Sequence, residues 1–173
     1  VLREKEEGVP VAGRPGRAAR LRAYLRRGGR ALVLAQETFA GLARGLTTVD
    51  HASTMTFPVA AGHPLLAGLR EDDFRFWRGD HYVSRMEIRR PARSGGIAPV
   101  VSGGSNAVAQ GPVVDVPMGQ GVAILCQALV GEKLDTEPAA RRLFVNALRY
   151  LSGYRPPAGR TVVLGGVDAF IDD

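Results

Sequence analysis

The chain has 173 residues, 45% of them hydrophobic, with 23 lysines and arginines against 17 aspartates and glutamates, for a net charge of +6. That length suits one α/β domain with at most a fragment of another, and that apolar share is enough for a packed core. The charge excess does not read as a nucleic-acid surface: it is nearly all arginine, spread from Arg3 to Arg160, and Phe74, Phe76 and Trp77 are interleaved only with Arg75 and Arg78, too few for a base-stacking platform.

The charged stretch Arg3-Glu4-Lys5-Glu6-Glu7 after Val1 reads as a slice of a longer protein, and residues 8–16, with three glycines and two prolines, as a loop. Residues 17–27 predict a basic helix with Ala18, Leu21 and Leu25 on one face, stopped by Gly28-Gly29. The short apolar run 31–35 has the pattern of a strand buried on both faces of a parallel sheet, so helix, glycine stop and strand read as half of a right-handed crossover. A short helix is expected over 36–46 and a short strand over 54–59. His63-Pro64-Leu65-Leu66 turns into a brief apolar segment, 70–81 is irregular, acidic and aromatic, and 82–89 alternates like a strand. Glycine-serine loops at 94–96 and 102–106 flank a strand over 97–101.

Residues 112–153 form the best-specified unit. Strands are predicted over 112–116 and 122–127 around the glycine-rich reversal Pro117-Met118-Gly119-Gln120-Gly121. A helix follows, with Asp135 or Thr136 as its cap and Pro138 in its first turn, where a missing N–H costs nothing. Ala140, Leu143, Phe144, Ala147, Leu148 and Leu151 recur at helical spacing as one apolar stripe, and Gly153 stands where a left-handed C-terminal residue is wanted. Gly153, Pro156 and Pro157 then read as a linker, and 161–164 as the first strand of a following module.

Few side chains carry chemistry. Cys126 is the only cysteine, which excludes an internal disulfide and a cysteine-rich zinc site, and inside an apolar strand it reads as a small hydrophobe. No apolar run approaches the ~20 residues that span a bilayer. His51, His63 and His81 lack metal-helix spacing, and Glu71, Asp72 and Asp73 sit side by side, whereas a glycosidase needs two acids facing each other across a sugar. The sharpest local cluster runs from Asp73 to Tyr82: Asp73, Trp77, Asp80 and His81 could stack on a sugar and bond its hydroxyls. The competing and preferred reading is that its aromatics anchor an irregular loop on the sheet.

Several stretches together resemble a known family: Gly28-Gly29-Arg30-Ala31-Leu32-Val33-Leu34-Ala35-Gln36, His63-Pro64-Leu65-Leu66-Ala67-Gly68-Leu69, Asp73-Phe74-Arg75-Phe76-Trp77-Arg78, Gly119-Gln120-Gly121-Val122-Ala123-Ile124-Leu125-Cys126-Gln127, and Glu137-Pro138-Ala139-Ala140 with Asn146-Ala147-Leu148-Arg149-Tyr150-Leu151. The set looks like the class I glutamine-amidotransferase-like domains that serve as accessory modules in bacterial glycoside hydrolases of the family 2-type and β-galactosidase-like kind. The resemblance implies a three-layer, flavodoxin-like α/β fold, with a mostly parallel sheet extended by an antiparallel hairpin, over residues 1–152, with 153–173 as linker and start of the next module.

Active members of that family place a cysteine at the turn after a central strand and a late His-x-Glu pair behind it, because a neutral thiol is a poor nucleophile until a base takes its proton. Here that turn reads Gln36-Glu37-Thr38, a degenerate nucleophile elbow at Gln36 and Glu37, and no histidine follows His81. The resemblance therefore implies no catalytic residue, no metal and no cofactor in this chain. It implies a structural or interdomain role in a larger carbohydrate-active enzyme. The partners would be other domains of the same chain, a second copy or a carbohydrate, with no nucleic acid and no membrane. The rival expectation is a free-standing sugar-binding domain or hydrolase with a cleft near Trp77 and His81. Nothing in the chain assigns a compartment.

Overall fold

The computed structural model describes residues 16–39, 42, 46–89, 97–102 and 109–156. Helix α1, Arg17–Arg26, buries Leu25 and leaves its arginines outside or at the margin. Gly28 takes φ 97 beyond its end, and the Gly28 and Gly29 N–H groups donate to Leu25 O (2.9 Å) and Tyr24 O (3.0 Å), closing the last turn as the glycine pair predicts. Strand β1, Arg30–Val33, follows at once. The chain then builds β2 (Thr47–Ser53), β3 (Thr56–Pro58), one-turn 3-10 helices at Pro64–Leu66 and Glu71–Phe74, β4 (Ser84–Arg89), β5 (Ile97–Ser102) and β6 (Gln110–Gly111). The hairpin β7 (Val113–Met118) and β8 (Gly121–Cys126) precedes helix α2, Pro138–Gly153.

Five strands form one sheet in the order β1-β8-β7-β5-β3, and β2-β4-β6 form a second. Only β1 and β8 run parallel, with Ala31 opposite Ala123 and Val33 opposite Leu125. Every other pairing is antiparallel. The mostly parallel, flavodoxin-like sheet expected from the sequence is therefore overturned: the described residues form a mixed α/β fold of two sheets, mostly antiparallel, with two α-helices. The physical reason lies in the connections. A parallel neighbour needs a crossover of a dozen or more residues, usually a helix, whereas two-residue turns force antiparallel pairing. At Gly119-Gln120 the turn has φ 62 at Gly119 alone, the pattern of a type II′ hairpin that only glycine enters freely. The run 31–35 does pair in parallel, but β1 lies at the sheet's edge and its residues are partly exposed.

Two prolines are placed where the ladder spares them. Val122 gives its N–H to Gly29 O (3.1 Å), so its cross-strand partner Pro117 stands at a non-hydrogen-bonded position. Pro99 lies in the register shift between the Ile97–Asp115 and Val100–Val113 pairs, a bulge in β5.

Strand β8 is buried throughout, and its alternate residues enter two cores. Val122, Ile124 and Cys126 face α2 with Leu65, Phe74 and Trp77, while Ala123 and Leu125 face Leu25 of α1 and Ile88 of β4. Helix α2 contributes Ala140, Leu143, Ala147 and Leu151 as predicted, but Leu148 is 48% exposed and Asn146 is buried instead. Its cap is Glu137, whose side chain accepts from the Ala139 N–H at 3.1 Å, rather than Asp135 or Thr136. Gly153 is helical, not left-handed, and Tyr154 ends the helix at φ -58. Arg30 closes that end, donating to Ser152 O (3.0 Å) and Tyr154 O (2.9 Å), a cation where the helix dipole is negative. The helix expected over 36–46 falls largely outside the described residues, as do the opening loop, most of the glycine-serine loops and the strand at 161–164.

At Gly121 the chain passes so close to α1 that a Cβ would collide with the carbonyl oxygens of Gly29 and Leu25. Gly121→Ala is expected to cost about 3 kcal/mol, a steep loss of melting temperature, because backbone has to move. Gly62→Ala, with open space around its Cβ, leaves it nearly unchanged. Thermal unfolding of the two variants checks the contrast.

Candidate functional site

The structure separates the residues that the sequence groups around Trp77. The Trp77 indole is 1% exposed and donates Nε1–H to Asp73 O at 2.8 Å, so it offers no ring face to a ligand. Asp73 Oδ2 accepts the Arg70 N–H (2.7 Å) at the start of its 3-10 turn. Asp80 is held by Lys133 Nζ at 2.5 Å and Arg85 Nη2 at 2.8 Å, and Arg85 also pairs with Glu132. His81 is exposed, at φ 65, edge-on to Phe76, and Phe76 (φ 46, 58% exposed) is the aromatic that this loop presents outward. These bonds make residues 73–82 a loop pinned to the start of α2: Arg78 N–H reaches Glu137 Oε2 at 3.1 Å, and Lys133, 5% exposed, also donates to Tyr82 O at 2.8 Å.

At the elbow position, the turn after β1 is tied by its backbone. Gln36 N–H donates to Gln127 Oε1 (3.2 Å) and Gln127 Nε2 returns a bond to Gln36 O (2.6 Å), joining the ends of β1 and β8. The Gln36 and Glu37 side chains are exposed. Cys126 is 2% exposed among core side chains, its Sγ facing Ala128 O at 3.8 Å, and burial pushes its thiol up to about 12. A thiol so desolvated stays protonated and inert near neutrality.

A different group of residues converges on a cleft. Asp115 sits in the middle of β7, opposite Ile124 and Ile97, and points to the α2 side of the sheet, where its neighbours are apolar. Its Oδ2 accepts from Tyr150 Oη on α2 (2.6 Å) and from His63 Nε2 (3.1 Å). The imidazole is fixed at both nitrogens: Nδ1 accepts the Leu65 N–H at 3.2 Å, which places the ring proton on Nε2. Asn146, buried on α2, donates through Nδ2 to Leu65 O (2.9 Å) and Ala67 O (2.8 Å), clamping the turn that carries His63 against the helix. Tyr150 stacks obliquely on His63, with centroids 5.1 Å apart, and meets Tyr154 edge-on at 5.8 Å.

Asp115, 2% exposed, lies at the bottom of a cleft of about 1010 Å³ between α2 and the segment 60–67. Ala60, Ala61, Pro64 and Pro117 line it with apolar surface, and the exposed Arg149 and Arg155 add positive charge. The second carboxylate oxygen, Asp115 Oδ1, is buried without a hydrogen-bond partner. With both ring nitrogens engaged, His63 is placed to orient the carboxylate rather than to take a proton. The sequence signal for this site was an acid at the inward position of an otherwise apolar strand. Among the described residues no three His, Cys, Asp or Glu side chains converge to hold a metal ion, and no helix is long and apolar enough to cross a membrane. No protein-family model, curated protein or solved structure matches the chain.

Two pH responses follow from these contacts. Burial, then the bond to Asp115, raises the Tyr150 phenol well above its ordinary value. A group whose proton is held more tightly in the fold stabilises it fully below the ordinary tyrosine value of about 10, and that contribution is lost as pH rises through the folded value. Tyr150→Phe is therefore expected to flatten the fall in melting temperature between about pH 9 and 11, with Tyr154, also raised by burial, keeping a residual slope. On the acid side, Lys133 holds the Asp80 carboxyl down at about 2 against an ordinary 3.8. That stabilisation is present above 3.8 and lost as pH falls toward 2, so Lys133→Met is expected to weaken the pH dependence of stability within this window, read by circular dichroism.

Proposed function

We propose that this chain is a non-catalytic structural or interdomain module of a larger carbohydrate-active enzyme of the glycoside hydrolase kind, whose chemistry is performed by another domain. The motif resemblance supports the parent class. The observation that carries the non-catalytic reading is the turn after β1: where a nucleophile would stand, Gln36 and Gln127 exchange backbone and side-chain hydrogen bonds, and the one thiol is core. A catalytic cysteine needs a lowered pKa and an adjacent base, and Cys126 is shifted the opposite way by burial. The histidine nearest to a catalytic posture, His63, has both nitrogens committed to the fold.

The expected outcome is no ammonia release from glutamine above background by the chain, and no hydrolysis of aryl glycosides. In the parent enzyme, Gln36→Ala and Glu37→Ala leave glycoside turnover unchanged. Glutamine hydrolysis that disappears in Cys126→Ser, or glycoside hydrolysis by this chain alone, overturns the reading.

A further inference from the structure

We propose that the cleft above Asp115 is a binding site for a neutral polyhydroxylated ligand of mono- or disaccharide size, with a ligand hydroxyl donating to Asp115 Oδ1. This goes beyond the module reading and is argued from the cleft's own chemistry. Two independent features carry it: the cleft itself, about 1010 Å³ and so at the upper end of ordinary ligand sites, and a buried carboxylate at its floor with an oxygen that lacks a partner.

An unpaired carboxylate oxygen in a low-dielectric site is costly, and a donor from a ligand recovers that cost. Tyr150 and His63 saturate Oδ2 and fix the plane of the carboxylate, so Oδ1 is presented in one orientation rather than free to rotate. The charges select the kind of donor. Arg149 and Arg155 disfavour an ammonium group in the cleft, and the negative floor disfavours an anion at depth. A hydroxyl meets both conditions, since it donates to Asp115 at one end of the molecule and accepts from guanidinium groups at another. Between the polar ends, Ala60, Ala61, Pro64 and Pro117 offer the flat apolar surface that the C–H face of a sugar ring covers. Asn146 makes the site rigid by tying the turn before the cleft to α2, so little ordering is left to be done on binding.

The test is titration of the folded 173-residue chain with galactose, glucose and lactose, followed by saturation-transfer NMR and by shifts of the tyrosine ring resonances. Saturable binding of at least one of the three in the millimolar range is expected. Ala61→Trp, an exposed position on the wall, fills the cleft without touching the core. It is expected to weaken binding at least tenfold with an unchanged circular dichroism spectrum. Asp115→Asn is expected to do the same where it folds, because removing a charged hydrogen-bond acceptor costs roughly ten- to a hundredfold. No saturable binding of any of the three sugars overturns the proposal, and so does binding that survives intact in Ala61→Trp. Neither result bears on whether the chain turns over glutamine or glycosides, so the two readings fail separately.

Discussion

A strand with no solvent face dictates this architecture. All six residues of β8 are buried, so both of its surfaces have to be covered and both of its edges paired. One edge takes β1 in parallel and the other takes β7 through a two-residue turn, which is the only way a chain can reverse that tightly. One surface takes α2 and the aromatic turn around Trp77, the other α1 and β4. In a doubly wound fold, helices from repeated crossovers would supply both layers. Here the second layer is partly another sheet, and the mixture of strand directions follows from that substitution.

Asp115 is the exception within this apolar register. Period-two alternation puts it on the same face as Val113, under α2, where a carboxylate is tolerated only with partners. Tyr150 comes from the last helix and His63 from the turn after β3, so one oxygen collects donors from elements nearly ninety positions apart in sequence. The network is satisfied on one side and open on the other, in contrast to Glu87 of β4, whose bond from Ser53 at 2.7 Å lies in the interior between strands. That asymmetry, with the open side on a cleft, distinguishes a site from a buried structural pair.

Much of the local structure was legible in the residues. The reversal at Gly119-Gln120, the glycine stop after α1 and the apolar stripe of α2 each rest on short-range chemistry, and each stands in the structure with shifts of a residue or two. Sheet direction was not legible, because a short apolar run is compatible with either pairing and β1 showed nothing of its edge position. Strand β2 was missed for a related reason: of Thr47–Ser53 only Ser53 is buried, so no hydrophobic alternation marks it. The cluster around Trp77 contained the right residues for a loop anchor, while the acid that shapes the cleft was read as one more strand residue. Its partners, His63 and Tyr150, meet it only through tertiary packing, which spacing along the chain does not encode.

The lengths of the strand margins carry a consequence for how this fold meets other polypeptides. The five-stranded sheet ends in β1 and β3, four and three residues long, and β6 on the smaller sheet has two. Such stubs expose too few amide and carbonyl groups to template a guest strand. Among the described residues β2 alone, seven residues long with one side unpaired, has the length for main-chain augmentation, and Asp50 and His51 along it set a polar toll on any apolar segment that tries to add there.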